Sequence, residues 1–454
     1  TLNATPRDIT QLMHQVGLFW FHNDLRINDN PALAQAAASC KQLICVYCMP
    51  PSTPTAGIKG PRDLSANRLD FLSQSLIDLD NSLQQYGQGL VVMDQPAMQA
   101  LAQLITEYSI EHIFSSDSAD FYHNQICQTL ATRYSLIGFT QIDNNRLFKA
   151  SEMPFTVQAL PDSFSKFRRK VEPLAIQEPI VRPNSLPPPP SRKNLAGIDL
   201  KRPAQNPVAL FEGGETAGLK HLENYFSRGL ASTYKETRNG LEGMDYSTKF
   251  SPWLANGCLS PKTIIQALRC YEQEVESNDS TYWIYFELLW REYFQWYAQK
   301  YGKRLFLFNG IKSHKPSTSF YSERYQKWCQ GNTPYPIVNA CMKQLNATGY
   351  LSNRGRQLAA SCFVHELNLD WRYGASYMEH QLVDYDVASN WGNWQYLAGV
   401  GADPRANRRF DLEKQTRTYD PQNRFITAWD GHPQASALDS VDAADWPIEQ
   451  DATR

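Results

Sequence analysis

LSANRLDFLSQSLIDLDNSLQQYG (64–87) lies between two short apolar runs, LICVYCM (43–49) and LVVMD (90–94), and this order decides how the first third of the chain folds. The long segment spaces its apolar residues at helical intervals, whereas the flanking runs are too short for helices and read as buried strands. A strand, a helix and a second strand in succession make a parallel unit. The pattern extends on both sides. VGLFWFH (16–22), HIFSSD (112–117) and the region 136–143 are further candidate strands, so residues 1–150 are expected to form an α/β domain with a parallel sheet. No G-x-G-x-x-G follows the first strand, and a dinucleotide site there is unsupported.

Cys45 and Cys48 have C-x-x-C spacing within a strand. Strand positions three apart face opposite ways, so neither a metal nor a redox role is expected of the pair. Nine scattered cysteines, an odd number, fit a reducing compartment. The opening TLNATPRDITQLMHQ lacks the plan of a signal peptide, and no apolar run approaches membrane-spanning length. A cytoplasmic location and no membrane partner are expected.

Pro179, Pro183, Pro187 to Pro190, Pro203 and Pro207 mark an extended connector, expected over 151–210. Beyond it GLKHLENYF, PKTIIQALRCYEQEV, YFELLWREYFQWYAQKYG and YPIVNACMKQLN carry helical periodicity, so 211–430 is expected to be all-α. The acidic, small-residue-rich stretch 431–454 is expected to be a loosely held tail. The net charge of −2 means that any nucleic-acid surface must gather its cations on one face.

Taken alone, the residues leave alternatives open. Ser247, Thr248, Lys249 and Ser251 suit a phosphate at a helix start near Pro252, or a simple N-cap. Arg356 is a natural partner for Asp384, by a two-pronged contact. Asp384 and Asp386, without clustered histidines, indicate ion pairing and no metal. Glu287, Trp290, Arg291 and Phe294 share a helix face, so Glu287 either pairs with Arg291 or sits among aromatics with a raised pKa.

Six stretches in order settle the choice. FWFHNDLRINDNPAL (19–33), ALPDSFSKFRRKVE (159–172), YSTKFSPWLANGCLSP (246–261), ELLWREYF (287–294), TGYLSNRGRQLAASCF (348–363) and residues 370–405 resemble the photolyase/cryptochrome family, and most closely its DASH-type branch. The resemblance implies an α/β domain joined to a helical FAD-binding domain, a folded FAD, and light-driven electron transfer. It implies that Tyr234, Ser247, Thr248, Lys249, Phe250, Ser251, Glu287, Arg356, Asp384, Tyr385, Asp386 and Asn390 contact the flavin, with Asn390 beside N5. Trp394, Trp371 and Trp328 fall where the family carries electrons, Trp394 nearest the flavin. Glu287 and Trp290 stand where the family meets a pyrimidine dimer, Trp290 stacking on the extruded base. Arg238, Arg291, Asn353, Arg354, Gln357, Tyr396, Arg408, Arg409 and Gln415 resemble positions around its DNA groove.

Ser352 and Asn353 stand where the (6-4) photolyases place histidines, which argues against that chemistry. Gln357 and Tyr396 replace the Met and Trp usual in enzymes acting on duplex DNA, and this implies single-stranded substrate. A methenyltetrahydrofolate antenna between the domains is usual in the branch. Here SSDSADFYHNQ (115–125) offers Asp120 or His123 where a glutamate is expected. The expected function is therefore repair of cyclobutane dimers in single-stranded DNA by a monomer, with RNA a further candidate partner. The alternative is a blue-light receptor with weak or no repair.

Overall fold

The computed structural model describes residues 13–50, 63–191, 197–198, 206–402, 408–434 and 437–439. Its first domain contains β1 (His14–Phe21), α1 (Pro31–Ser39), β2 (Cys40–Cys48), α2 (Ala66–Gln84), β3 (Leu90–Met93), α3 (Ala97–Tyr108), β4 (His112–Ser116), α4 (Phe121–Arg133) and β5 (Gly138–Ile142). The strands form one parallel sheet in the order β3-β2-β1-β4-β5. The order reverses between β1 and β4, and the carboxyl ends of those two strands open a crevice there. Alternation along β2 puts Cys45 in the core of one sheet face and Cys48 in that of the other; both thiols are free.

Residues 151–210 are not extended throughout. They include α5 (Phe164–Val171), whose Phe164, Phe167 and Val171 are buried. The proline-rich part is tied to the first domain, where Leu43 N–H donates to the Pro188 carbonyl and Ile180 N–H to the Asp29 carboxylate.

The second domain is helical. It runs through α6 (Glu215–Ser227), α7 (Tyr234–Thr237), α8 (Ser251–Asn256), α9 (Pro261–Glu274), α10 (Asp279–Tyr301) and α11 (Ser322–Gln330). It continues with α12 (Pro336–Thr348), α13 (Asn353–Ser361), α14 (Trp371–Gln381), α15 (Val387–Leu397), α16 (Leu412–Tyr419) and α17 (Arg424–Ala428). Helix α10 starts with an Asn278 capping box, and from Glu292 to Ala298 it is buried on every side. It packs against α15, which packs in turn against α14. Gly374 makes that last approach possible, because a Cβ there would lie 2.3 Å from the Trp394 ring. The described part of 431–454 is held: Gly431 packs on α12, and Asp439 pairs with Arg324 at 2.6 Å. The rest of that stretch lies outside the described residues.

The two domains are joined by buried polar groups from the loop after β1. Arg26, 1% exposed, donates to the carbonyls of Asp29, Asn144 and Gly257 and to the Asn145 side chain. Glu215 of α6 accepts from Ile27 N–H at 2.8 Å and Asn28 N–H at 3.0 Å. Gly257, at φ +70°, ends α8 so close to this loop that a Cβ would lie 1.9 Å from the Asn23 carbonyl. On the other side Glu292 of α10 accepts from Leu147 N–H, Phe148 N–H and the Trp296 indole, and burial pushes its carboxyl up to about 7.

Arg26→Met keeps the apolar stem but strands three carbonyls. It is expected to lower the unfolding free energy in urea by at least about 3 kcal/mol, against under about 0.5 kcal/mol for Arg133→Met, in the exposed last turn of α4.

Candidate functional site

A cavity of about 530 Å³ opens among α7, α8, α10, α13 and α15. Most of the residues singled out from the sequence line it: Tyr234, Arg238, Ser247, Thr248, Lys249, Phe250, Ser251, Glu287, Trp290, Arg291, Asn353, Arg356, Gln357, Asp384, Tyr385, Asp386, Asn390, Trp394, Tyr396 and Arg408. One chamber thus collects side chains spread over 175 positions, with α10 and α15, which pack against each other, both contributing to its lining.

One wall is the turn before α8. Ser247 and Lys249 hold φ +64° and +55°, left-handed values that cost non-glycine residues of order 1–3 kcal/mol each and cluster where function needs them. The Lys249 ammonium is buried, lies 5.1 Å from the Tyr350 ring centroid and donates to the Ser247 hydroxyl. Desolvation, reinforced by Arg356, brings its pKa down to about 8. Ser251 is no N-cap: it is the first residue of α8, and its hydroxyl donates to Asp384 at 2.6 Å.

The Arg356–Asp384 pair is present, though single-pronged. Arg356 Nη2 reaches Asp384 Oδ2 at 2.7 Å, while Nε is drawn to the Leu351 carbonyl. Asp384 Oδ1 is therefore buried with no partner. An acceptor in that state is complemented by an N–H donor of something filling the cavity. Asn390 donates its amide nitrogen to the Ala375 carbonyl at 3.0 Å, which leaves its oxygen as the acceptor. Asp386 accepts from Gln295 and caps α15 through Ser389 N–H. The Tyr385 hydroxyl takes the Trp391 indole N–H, and Arg68 lies over its ring. A buried cation beside hydroxyls, an orphaned carboxylate oxygen and an amide acceptor form a set of polar groups that fits a flavin with its phosphates.

The opposite wall is aromatic and cationic. Glu287 pairs with Arg238 at 2.5 Å and not with Arg291, whose guanidinium donates to the Asn145 carbonyl. Desolvation raises the Glu287 pKa, with Arg238 opposing it. Trp290 does not present two open faces: Phe164 of α5 stacks on it at 3.8 Å. Arg408 lies over the Tyr396 ring at 4.2 Å. Arg354 sits behind this wall against Asn239 and Gln415, and Arg409 is engaged by Glu366; these three residues do not line the cavity. Trp283 and Phe286 do, unanticipated from the sequence. Their signal was helical spacing, since Trp283 precedes Glu287 by one turn of α10, and Arg238 lies over its ring at 4.4 Å.

The three tryptophans that the resemblance assigns to electron transfer are all buried. Trp394 borders the cavity, and Trp328 meets it at 6.2 Å between ring centroids. The ring neighbour of Trp371 is Trp391, at 5.7 Å. At the crevice between β1 and β4 a small polar pocket is lined by His22, Asn23, Ser116, Asp117, Arg146, Arg291 and Gln295, among others. Asp120 is spent as the N-cap of α4, and His123 is buried against Trp20 and His22. Among the described residues there is no group of metal-binding side chains and no helix long and apolar enough to cross a membrane.

Comparison with known proteins agrees with this geometry. Residues 17–189 match the family model for DNA photolyase, and residues 283–450 that for the FAD binding domain of DNA photolyase. Cryptochrome DASH of Idiomarina loihiensis is 55% identical over 96% of this chain and 97% of its own length. The Arabidopsis thaliana cryptochrome DASH is 37% identical over 91% and 75%. The crystal structure of the Synechocystis sp. PCC6803 cryptochrome superposes with a TM-score of 0.86 at 39% identity, covering 93% of this chain and 89% of that one. A class III photolyase from Agrobacterium tumefaciens gives 0.76 at 25%, over 93% and 88%. The chain belongs to the photolyase/cryptochrome family, in its cryptochrome DASH branch. FAD is its cofactor.

Lys249 is expected to link flavin binding to pH. Its charge is lost as the pH rises through about 8, so FAD affinity of the flavin-stripped protein is expected to weaken from about pH 7 to about pH 9.5, and much less in Lys249→Met, by fluorescence titration. Stability of the stripped protein moves the other way. The unfolded chain keeps this proton to higher pH than the folded one, so stability gains over the same window.

Proposed function

We propose that this protein is a light-driven lyase that splits cyclobutane pyrimidine dimers, preferentially in single-stranded DNA. The observation that carries the reading is that one cavity joins the residues fitted to a flavin with a dimer-sized wall of Glu287, Trp290, Gln357 and Tyr396. A reduced, light-excited FAD held there would supply one-electron chemistry to the dimer, with the electron returned once the ring bonds have broken. The protein's part is to hold the two together and to manage protons. Lys249 and the hydroxyls of Ser247 and Thr248 anchor phosphates, Asp384 and Asn390 orient the ring system, and Arg68 and Tyr385 close the side facing the first domain.

Glu287 is the proton holder. With Arg238 beside it the carboxylate is stabilised against desolvation, which raises its pKa; a substrate phosphate that draws Arg238 away removes that support and favours the protonated carboxyl. An acid in that state donates a hydrogen bond to a pyrimidine carbonyl, where charge develops. Arg238 and Arg408 meet phosphates, and the edge of Trp290 that borders the cavity meets a base. Trp394 starts the separate path that reduces oxidised flavin in light.

Substrate preference follows from the same wall. Extruding a dimer from duplex costs a few kcal/mol. Gln357 and Tyr396 give a polar, smaller contact that offsets less of it than Met and Trp, and a single strand spares most of the cost. Illuminated protein is expected to repair dimers in oligothymidine at least about tenfold faster than in intact duplex, equivalent to about 1.4 kcal/mol. Gln357→Met with Tyr396→Trp is expected to narrow that ratio. Equal rates on both substrates would refute the preference. Glu287→Gln is expected to keep flavin and photoreduction while losing most dimer splitting, read by chromatography of the products; equal loss in both would make Glu287 structural.

A further inference from the structure

Each of the three tryptophans is buried, Trp328 and Trp371 completely, so a hole that stops on any of them is out of reach of a reductant in solution. The rings around Trp328 continue outward. Trp394 lies 6.2 Å from Trp328, Trp328 lies 5.6 Å from Tyr377, and Tyr377 lies 6.4 Å from Tyr325, centroid to centroid. Phe363 bridges the same gap, 4.7 Å from Trp328 and 6.3 Å from Tyr325. Tyr325, on the short helix α11, is the first ring of the series that is only half-buried.

We propose that oxidising equivalents leave the flavin cavity through Trp394 and Trp328 and come to rest on Tyr325 as a neutral tyrosyl radical. The proposal rests on the reading above that Trp394 is the first donor. The steps balance. Trp394 gives one electron to the photo-excited oxidised flavin, Trp328 refills Trp394, and Tyr325 refills Trp328 while its phenolic proton passes to water. A thiol in solution then returns a hydrogen atom to the phenoxyl.

Proton chemistry selects Tyr325 over Tyr377. The Tyr377 hydroxyl is held by the Asn346 side-chain oxygen at 2.7 Å and the Cys329 carbonyl at 3.2 Å, neither of them a base, and it is 9% exposed. Oxidising it would strand a proton, so its ring serves as a bridge. Tyr325 is in hydrogen-bond contact with the Cys329 thiol, which burial holds up at about 12 and therefore protonated, leaving water at the exposed edge as the acceptor.

The test is flash illumination of the FAD-loaded protein with detection of the protein radical by electron paramagnetic resonance. A second readout is the position of a nitroso spin-trap adduct by peptide mass spectrometry. Wild type is expected to show a tyrosyl spectrum and an adduct at Tyr325. Tyr325→Phe is expected to bind flavin normally, lose both signals and leave only a tryptophan radical that recombines sooner. Trp328→Phe is expected to lose the tyrosyl signal as well. A tyrosyl spectrum that survives Tyr325→Phe overturns the proposal. So does its loss in Trp371→Phe combined with its retention in Trp328→Phe. Trp394→Phe separates the levels: if it blocks photoreduction while the tyrosyl spectrum survives Tyr325→Phe, only the exit is wrong. If it leaves photoreduction untouched, the first-donor reading fails too.

Discussion

The structure depends on a buried guanidinium. Arg26 sits in the loop that leaves the first strand, and its donors are satisfied by carbonyls from three separate places in the chain, one of them Gly257 at the end of α8. A charge with no water around it tolerates little displacement, because each lost hydrogen bond leaves a desolvated polar group behind. The end of α8 is thereby fixed to the parallel sheet. Since the Ser247–Lys249 turn leads into α8, one wall of the cavity inherits its position from the other domain.

Within the cavity the same economy operates at smaller scale. Asp384 holds Arg356 and Ser251 through one oxygen and leaves the other idle. Lys249 is buried beside this pair without a carboxylate of its own, and its proton is correspondingly loose. Both are unfavourable for the protein alone and favourable once an anionic, N–H-bearing ligand enters. Binding groups held under strain in this way lose less on association, because their ordering precedes it.

Much of this was legible in the sequence. The sheet was, because short apolar runs alternating with helical periodicity have few other solutions, and most of the cavity lining was, because its motifs occur in order. What stayed hidden depends on partners distant in sequence. Nothing local says that Glu287 turns to Arg238, 49 positions away, and not to Arg291 one turn on. The proline-rich stretch advertised an extended connector, while the helix before it, α5, stacks Phe164 on Trp290 of the cavity wall. Tryptophan spacing likewise could not say that Trp328 lies in the interior and adjoins Trp394, whereas Trp371 adjoins Trp391.

Gly374 has a consequence for how fast charge can move. With no side chain there, α14 lies directly on the Trp394 ring, which is 2% exposed. In the electron transfer proposed above, its environment would be arranged before an electron leaves and would stay so afterwards, the condition under which a polar or redox step needs little reorganisation. Transfer across such a contact is governed by separation and driving force, with a small thermal barrier, so it should slow only weakly on cooling. A methyl group at position 374 would tilt the indole, open a void beside it and turn a nearly temperature-independent step into an activated one.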